Sequence, residues 1–208
     1  MTNSTETVTS TIFDASVLEQ QLQREDALLR GHFRLSSGLH SDTYVQCARY
    51  LRRPELAAAA TAALAAQIQA AGLRPDVVVG PAMGGVVIGY ELARQLGVPG
   101  IFTERDADGQ MTLRRGFTIE PGEKVIIAED VVTTGKSTLE VAKVLRSMGA
   151  EVLAVASLID RTGGNGGLDF PHFALLPVVA ATFAPESCPL CAAGVPVVKP
   201  GSRPEKAF

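Results

Sequence analysis

The residues best suited to chemistry lie within Val125–Ser137, VIIAEDVVTTGKS. An apolar run ends in two adjacent carboxylates, Glu129 and Asp130, and two β-branched residues, Val131 and Val132, follow. The chain then passes through Thr133-Thr134-Gly135-Lys136-Ser137 into a helical pattern. Backbone N–H groups at a helix start, hydroxyl side chains and the positive end of the helix dipole make an anion cradle suited to a phosphate monoester. Gly135 lets the backbone approach such an anion closely. The carboxylates upstream cannot bind that phosphate, but they can accept hydrogen bonds from sugar hydroxyls or hold a metal ion. One corner thus suits both ends of a ribose 5-phosphate. Ser137 followed by Glu140 fits a capping box and places the helix N-terminus there.

Gly135-Lys136-Ser137 imitates the end of a Walker A loop, which requires glycine at position 130, where this chain has Asp130. A nucleoside triphosphatase reading is therefore rejected. For any one residue of the string, a solvated acid or an ordinary capped helix is the plainer account. For all thirteen residues together it is not.

A corner of this kind needs a buried strand behind it and a helix ahead of it, and the rest of the chain supplies that rhythm. Phe13–Leu29 reads as an amphipathic helix with Val17, Leu18, Leu22, Leu28 and Leu29 toward a core. Arg30–Tyr50 is polar and aromatic, with turn residues at Ser36-Ser37-Gly38, and reads as short strands or a flap. Pro54 suits the first position of a helix whose stripe is Leu56, Ala60, Leu64 and Ile68 and which ends at Gly72. Strands are expected at Asp76–Gly80, Val98–Thr103, Lys124–Glu129, Glu151–Ile159 and Phe173–Ala180, and helices at Gly84–Leu96 and Thr138–Met148. Alternating strands and helices of this length mean an α/β fold, a central parallel sheet flanked by helices. Thr103–Phe117, with Asp108-Gly109 as a hairpin turn, and the glycine-rich Thr162–Gly167 break the rhythm. In such folds ligands lie beyond the carboxyl ends of the strands, so both loops are candidates to border a site.

Composition narrows the classes further. The chain has 208 residues, 46% hydrophobic and 20% charged, which describes one globular domain, residues 13–208, behind a polar tail at 1–12 expected to be disordered. Nineteen basic against 22 acidic residues leave a net charge of −3, so no basic surplus points to nucleic acid. The longest Ala-rich stretch, Leu56–Ala71, contains Gln67 and Gln69 and is a poor membrane span. MTNSTETVTS lacks the features of a secretory signal, which makes Asn3-Ser4-Thr5 a chance sequon and a cytoplasmic location the expectation. Cys47, Cys188 and Cys191 are too few for a disulfide scaffold. Cys188-Pro-Leu-Cys191 reads best as a plain turn with two thiols; zinc would need further ligands, for which His172, Cys47 or a subunit partner are the candidates. The basic, turn-rich Val197–Arg203 suggests no function.

Glu129 through Gly135, EDVVTTG, resembles the phosphoribosyl pyrophosphate signature of type I phosphoribosyltransferases. Gly31-His32-Phe33 with Leu35–Ser41, LSSGLHS, resembles the N-terminal hood of orotate phosphoribosyltransferases, placed at about 30–50. Asp160-Arg161, directly after a strand, resembles that family's orotate-binding arginine. The resemblance implies the type I phosphoribosyltransferase fold and transfer of ribose 5-phosphate to orotate, giving orotidine 5′-monophosphate and pyrophosphate in pyrimidine biosynthesis. It implies Mg²⁺ held mainly by substrate and water, with no protein metal cage, and a homodimer.

By the same resemblance, Glu129, Asp130 and Arg105 are catalytic, and Val131, Val132, Thr133, Thr134, Gly135, Lys136 and Ser137 bind the sugar phosphate. Ala82, Met83 and Gly84 resemble the loop that binds pyrophosphate, and Thr133 and Arg161 meet orotate. Thr103–Phe117 resembles the family's flexible lid, with Arg105, Arg114 and Arg115 as its cations; a solvated hairpin is the equal alternative. Many members carry lysines in the lid and one in the pyrophosphate loop, where this chain has Glu104 and Gly84. A purine phosphoribosyltransferase, or a non-catalytic nucleotide-sensing regulator on the same fold, is the alternative reading. Arg161 and the hood favour orotate, and no DNA-binding appendage favours a regulator.

Overall fold

The computed structural model describes residues 14–35, 37–164 and 166–200. In chain order the elements are α1 (Ala15–Arg24), β1 (Leu28–Arg34), β2 (His40–Val45), α2 (Ala48–Leu51), α3 (Pro54–Ala70), β3 (Val77–Pro81) and α4 (Gly84–Leu96). Then come β4 (Gly100–Arg105), β5 (Met111–Leu113), β6 (Lys124–Val132), α5 (Lys136–Ser147), β7 (Glu151–Asp160) and β8 (His172–Pro177). The short β9 (Thr182–Phe183), a 3₁₀ turn at Pro185–Ser187 and α6 (Pro189–Ala192) complete the described elements.

Two sheets form. The larger runs β5-β4-β3-β6-β7-β8, parallel except for the antiparallel edge strand β5. Its central strands are buried on both faces, which is why they read as unbroken apolar runs. Alternate residues of β6 serve opposite cores. Ile126 and Ala128 pack with Leu64, Ile68, Ile88 and Leu92 of α3 and α4, whereas Val125 and Ile127 pack with Val141 and Leu145 of α5. The smaller sheet, β1-β2-β9, is antiparallel and is the hood expected near residues 30–50. The described part of the 197–203 tail joins it: Val198 bridges Phe33, its N–H donating to His32 O at 2.8 Å and its carbonyl accepting from Arg34 N at 2.9 Å.

Several expected boundaries move, each for a local reason. The first helix stops at Arg24 rather than Leu29, because Asp26 takes a left-handed conformation (φ 50°) and turns the chain into β1. Leu28 is buried as a strand residue and Leu29 lies beside it, while Val17 is 47% exposed and is not core. Asp14 caps α1, its carboxylate accepting from Ser16 N at 2.8 Å. Helix α4 has the expected bounds, and its C-cap Gly97 is left-handed (φ 71°). The other strands shift by one to three residues, β6 most usefully, since it continues to Val132 and carries both carboxylates within the strand. No described helix is long and apolar enough to cross a membrane. The tail at 1–12, Phe13, Ser36 and residues 201–208 lie outside the described residues.

Candidate active site

Strand alternation decides where the two acids look. Glu129 pairs across the sheet with Ser157 and lines a small cavity, about 40 Å³, with Val131, Val132, Thr133, Thr134, Gly135, Lys136, Ser137 and Thr138. Asp130 turns to the other face, against Gly84 at the start of α4: a Cβ placed on Gly84 would lie 2.6 Å from Asp130 Oδ1. One acid therefore serves the loop before α5 and the other the loop before α4. A side chain at position 84 would have to displace the Asp130 carboxylate.

The cradle itself is built differently from the expected capping box. Gly135 is the N-cap of α5, in the left-handed region (φ 72°), and no side chain caps the helix. Ser137 lies inside the first turn, and Glu140 pairs with Arg105 instead of reaching back to the cap. A side chain on Gly135 is doubly disfavoured, by the positive φ and by Gly166 O, which would stand 2.7 Å from its Cβ. Gly166 of the glycine-rich segment thus packs on the cradle, from one of the two irregular segments expected to border the site. The first turn of α5 presents N–H groups that have no intrahelical acceptor, beside the exposed Thr133, Thr134, Lys136 and Ser137.

The electrostatics follow from burial. Glu129 is only 6% exposed, and its carboxyl is pushed up to about 8, first by burial and then by the charge of Asp130; the Thr138 hydroxyl offsets part of this. Burial likewise raises Asp130, opposed by the Val131 N–H that its Oδ1 accepts at 2.8 Å. Among the described residues no ion pair engages either acid. Thr138, and Cys47, whose Sγ lies 3.5 Å from Asp130 O, were not singled out for this site by sequence reasoning. Thr138 directly continues the Thr/Gly string and was findable; Cys47 left no signal.

Arg161 follows β7, its N–H donating to Val132 O at 2.8 Å, so it stands beside the end of β6. Its Nε is buried without a hydrogen-bond partner among the described residues, and the hood's Asp42 is the acid that acts on it. A half-buried guanidinium with an unsatisfied donor can receive a further acceptor. In the α4 loop the Ala82–Met83 peptide is cis, Met83 is exposed, and Ala82 N donates to Thr103 O at 2.7 Å.

The segment expected to be either a lid or a solvated hairpin is a β-hairpin in this structure. β5 pairs with β4, and the Asp106 carboxylate accepts from Asp108 N and Gln110 N around a left-handed Gly109. Its cations are engaged by protein groups: Arg105 by Glu140 at 2.5 Å and Gly109 O at 2.7 Å, Arg114 and Arg115 by Glu104. Arg105 is not among the residues lining the small cavity. A larger cleft of about 370 Å³, between Leu51, Val87, Tyr90 and Phe102, is apolar and lacks the convergent donors of the cradle.

Residues 47–179 match the family described as phosphoribosyl transferase domain. The orotate phosphoribosyltransferase of Carboxydothermus hydrogenoformans is 55% identical over 85% of this chain and 92% of its own length. The chain belongs to the orotate phosphoribosyltransferases. A second member, from Heliobacterium modesticaldum, is 50% identical over 87% of this chain and 94% of its own. The crystal structure of orotate phosphoribosyltransferase from Aeropyrum pernix superposes with a TM-score of 0.63 at 29% identity, covering 79% of this chain and 93% of that one. Adenine phosphoribosyltransferase from Thermoanaerobacter pseudethanolicus, at 18% identity and a TM-score of 0.56, covers 65% of this chain and 88% of its own and shares the fold. The expected family and fold are therefore correct.

Proposed function

We propose that this chain performs the orotate phosphoribosyltransferase reaction at the corner between β6 and α5, with orotate held at Arg161. The observation that carries the assignment is one arrangement. An anion cradle, a buried acid pair with no cationic partner among the described residues and an arginine with an unsatisfied buried donor converge on the ends of β6 and β7. A purine base offers no carboxylate to the Arg161 fork, which sets the purine alternative aside.

In this reading the N–H groups and hydroxyls of Thr133–Ser137 hold the 5′-phosphate. The acids accept from the ribose hydroxyls, Glu129 from the cradle side and Asp130 from the α4 side. The Ala82–Gly84 loop meets pyrophosphate, and Thr133 and Arg161 meet orotate. Transfer at the ribose C1 carbon builds positive charge on the sugar and negative charge on the leaving pyrophosphate. Fixed geometry and placed charge therefore matter more than a strong base. Glu129 keeps its proton until about pH 8, so the acid pair does not begin as two full charges, and ribose hydroxyls and a cation favour its ionisation on binding. Two buried carboxylates free of ion pairs among the described residues suit Mg²⁺ as an outer neighbour rather than a caged ion. Bound through substrate oxygens and water, the ion would neutralise charge on the leaving pyrophosphate. In this reading Arg105, released from Glu140, is the lid cation that would meet the same group.

A homodimer fits the apolar cleft, whose rim exposes Val87 (49%) and Tyr90 (69%) near Met83 (82%) of the pyrophosphate loop; a second copy covering it would also bring a partner lid close. A cytoplasmic location accords with sparse, free cysteines. The deciding experiment follows loss of orotate absorbance with Mg²⁺ and phosphoribosyl pyrophosphate. Consumption of hypoxanthine or guanine but not orotate overturns the specificity, and binding of the sugar pyrophosphate without turnover of any base makes the protein a sensor.

A further inference from the structure

Cys188-Pro-Leu-Cys191 is not a plain turn, and neither His172 nor Cys47 stands with it. His172 bonds Ser157 Oγ at 2.8 Å, and Cys47 lies against Asp130. The thiols instead meet two histidines of the hood. Cys188 Sγ is 3.5 Å from His32 Nε2, and Cys191 Sγ is 3.7 Å from His32 Nε2 and 3.3 Å from His40 Nδ1. His32 Nε2 and His40 Nδ1 are 2.8 Å apart, and all four donor atoms fall within 4.8 Å of one another.

We propose that His32, His40, Cys188 and Cys191 form a structural zinc site, distinct from the catalytic corner. Tetrahedral zinc with Zn–S near 2.3 Å and Zn–N near 2.0–2.1 Å sets N···S edges at about 3.5 Å, which the three N···S distances bracket, and an N···N edge at about 3.3 Å, so the 2.8 Å separation of the two imidazole nitrogens would open by about 0.5 Å on binding. The donor set, two thiolates and two imidazoles, is one zinc prefers, and four protein ligands leave no open position for chemistry. A second contact orients the set. Val195 O, which can only accept, lies 2.7 Å from His32 Nδ1, so the ring proton sits on Nδ1 and the Nε2 lone pair faces the thiols. A simple buried His–His hydrogen bond would explain the 2.8 Å contact alone, but not two cysteines closing the other faces of the same point.

The site has a clear mechanical purpose. His32 lies on β1, His40 on β2, and the cysteines lie at the start of α6 and within it, so one ion would tie the hood hairpin to the C-terminal segment. His32, His40 and Cys188 are buried, while Cys191 is exposed and gives the ion a way in.

The test uses the full chain without a histidine tag, purified without added chelator or metal. Elemental analysis should give about one zinc per chain, and exchange with Co²⁺ should give the visible bands and thiolate charge-transfer absorption of tetrahedral S₂N₂ cobalt. Cys191→Ser and His40→Ala should each lose the zinc and the cobalt spectrum. Chelation should lower the thermal midpoint of the parent protein and leave that of Cys191→Ser unmoved. A metal-free parent that fails to take up Co²⁺, zinc retained equally by both variants, or a Cys188–Cys191 disulfide in metal-free protein alkylated at harvest would each overturn the site.

Discussion

Replacing Glu129 with Gln should change how the stability of this protein responds to pH. The Glu129 carboxyl is raised from its ordinary 4.5 to about 8, chiefly by burial and then by Asp130. Between those values the folded chain keeps a proton that the unfolded chain has lost, so stability falls as pH rises. The carboxyl weighs nothing against folding below about pH 4.5 and weighs fully above about 8. One pKa unit is worth about 1.4 kcal/mol, so the penalty grows by about 3–4 kcal/mol from pH 5 to pH 8. For a chain of this size each kcal/mol moves the thermal midpoint by about 2–4 °C, or roughly 6–16 °C over the interval. Glutamine keeps the shape and an acceptor for Thr138 but cannot ionise. Thermal unfolding of both proteins at pH 5, 6.5 and 8 cancels the other titrating groups, and the advantage of the variant should widen steadily. Binding of phosphoribosyl pyrophosphate with Mg²⁺ near neutrality should also release a proton in the parent and not in the variant, seen by calorimetry in buffers of different ionisation enthalpy. Midpoint profiles that stay parallel from pH 5 to pH 8 would refute the reasoning.

Arg161→Ala should raise the KM for orotate by about 10–100-fold, the worth of hydrogen bonds to a charged group, with little effect on the KM for the sugar pyrophosphate; initial rates against each substrate separate the two. Gly135→Ala should weaken sugar pyrophosphate binding about tenfold or more, because the left-handed backbone and Gly166 O leave no room for a methyl group; titration calorimetry reads it directly. Gly84→Ala should barely move the thermal midpoint yet lower kcat by about 10²-fold, because the flexible Asp130 carboxylate can yield to the methyl group but leaves its working position. Thr133→Ala and Asp130→Asn should each reduce turnover by about 10²–10³-fold, and full activity in both would remove the corner from the mechanism.

The parallel sheet was legible because strands buried on both faces read as short, β-branched apolar runs, here set off by turn residues and alternating with helical patterns. Helix α4 was legible at both ends because Gly84 and Gly97 mark them. The first helix was overextended because Leu22, Leu28 and Leu29 continue a plausible apolar spacing; what ends it is the backbone of Asp26, which side-chain pattern does not show. The capping box failed for a similar reason. Ser137 and Glu140 have the right spacing, but Gly135 can adopt a positive φ and becomes the cap two residues earlier. For the catalytic corner, the string from Glu129 to Ser137 is contiguous, so its chemistry could be read in one dimension. Opposite facing of Glu129 and Asp130 follows from strand alternation once β6 is seen to run on to Val132 rather than end at Glu129, whereas the nearness of Asp42 to Arg161 comes from tertiary packing and is absent from any single segment.

The hood meets the same limit, with a mechanical consequence. Strands of seven, six and two residues make a sheet too small to stand by contacts of its own. Yet this sheet holds Asp42 near Arg161, and the turn after it holds Cys47 against Asp130, so its position bears on both residues. Its base is fixed to the main core by Leu28 and Val45, and its outer end needs ties of its own. Val198 running along Phe33 supplies one tie, and the cluster of His32, His40, Cys188 and Cys191 supplies a second at the same seam. Histidines in the first quarter of the chain and cysteines near its end look unrelated in sequence, and only folding brings them to one point. A metal there would contribute most because the chain between its ligands is long, and the closure entropy removed from the unfolded state grows with that length.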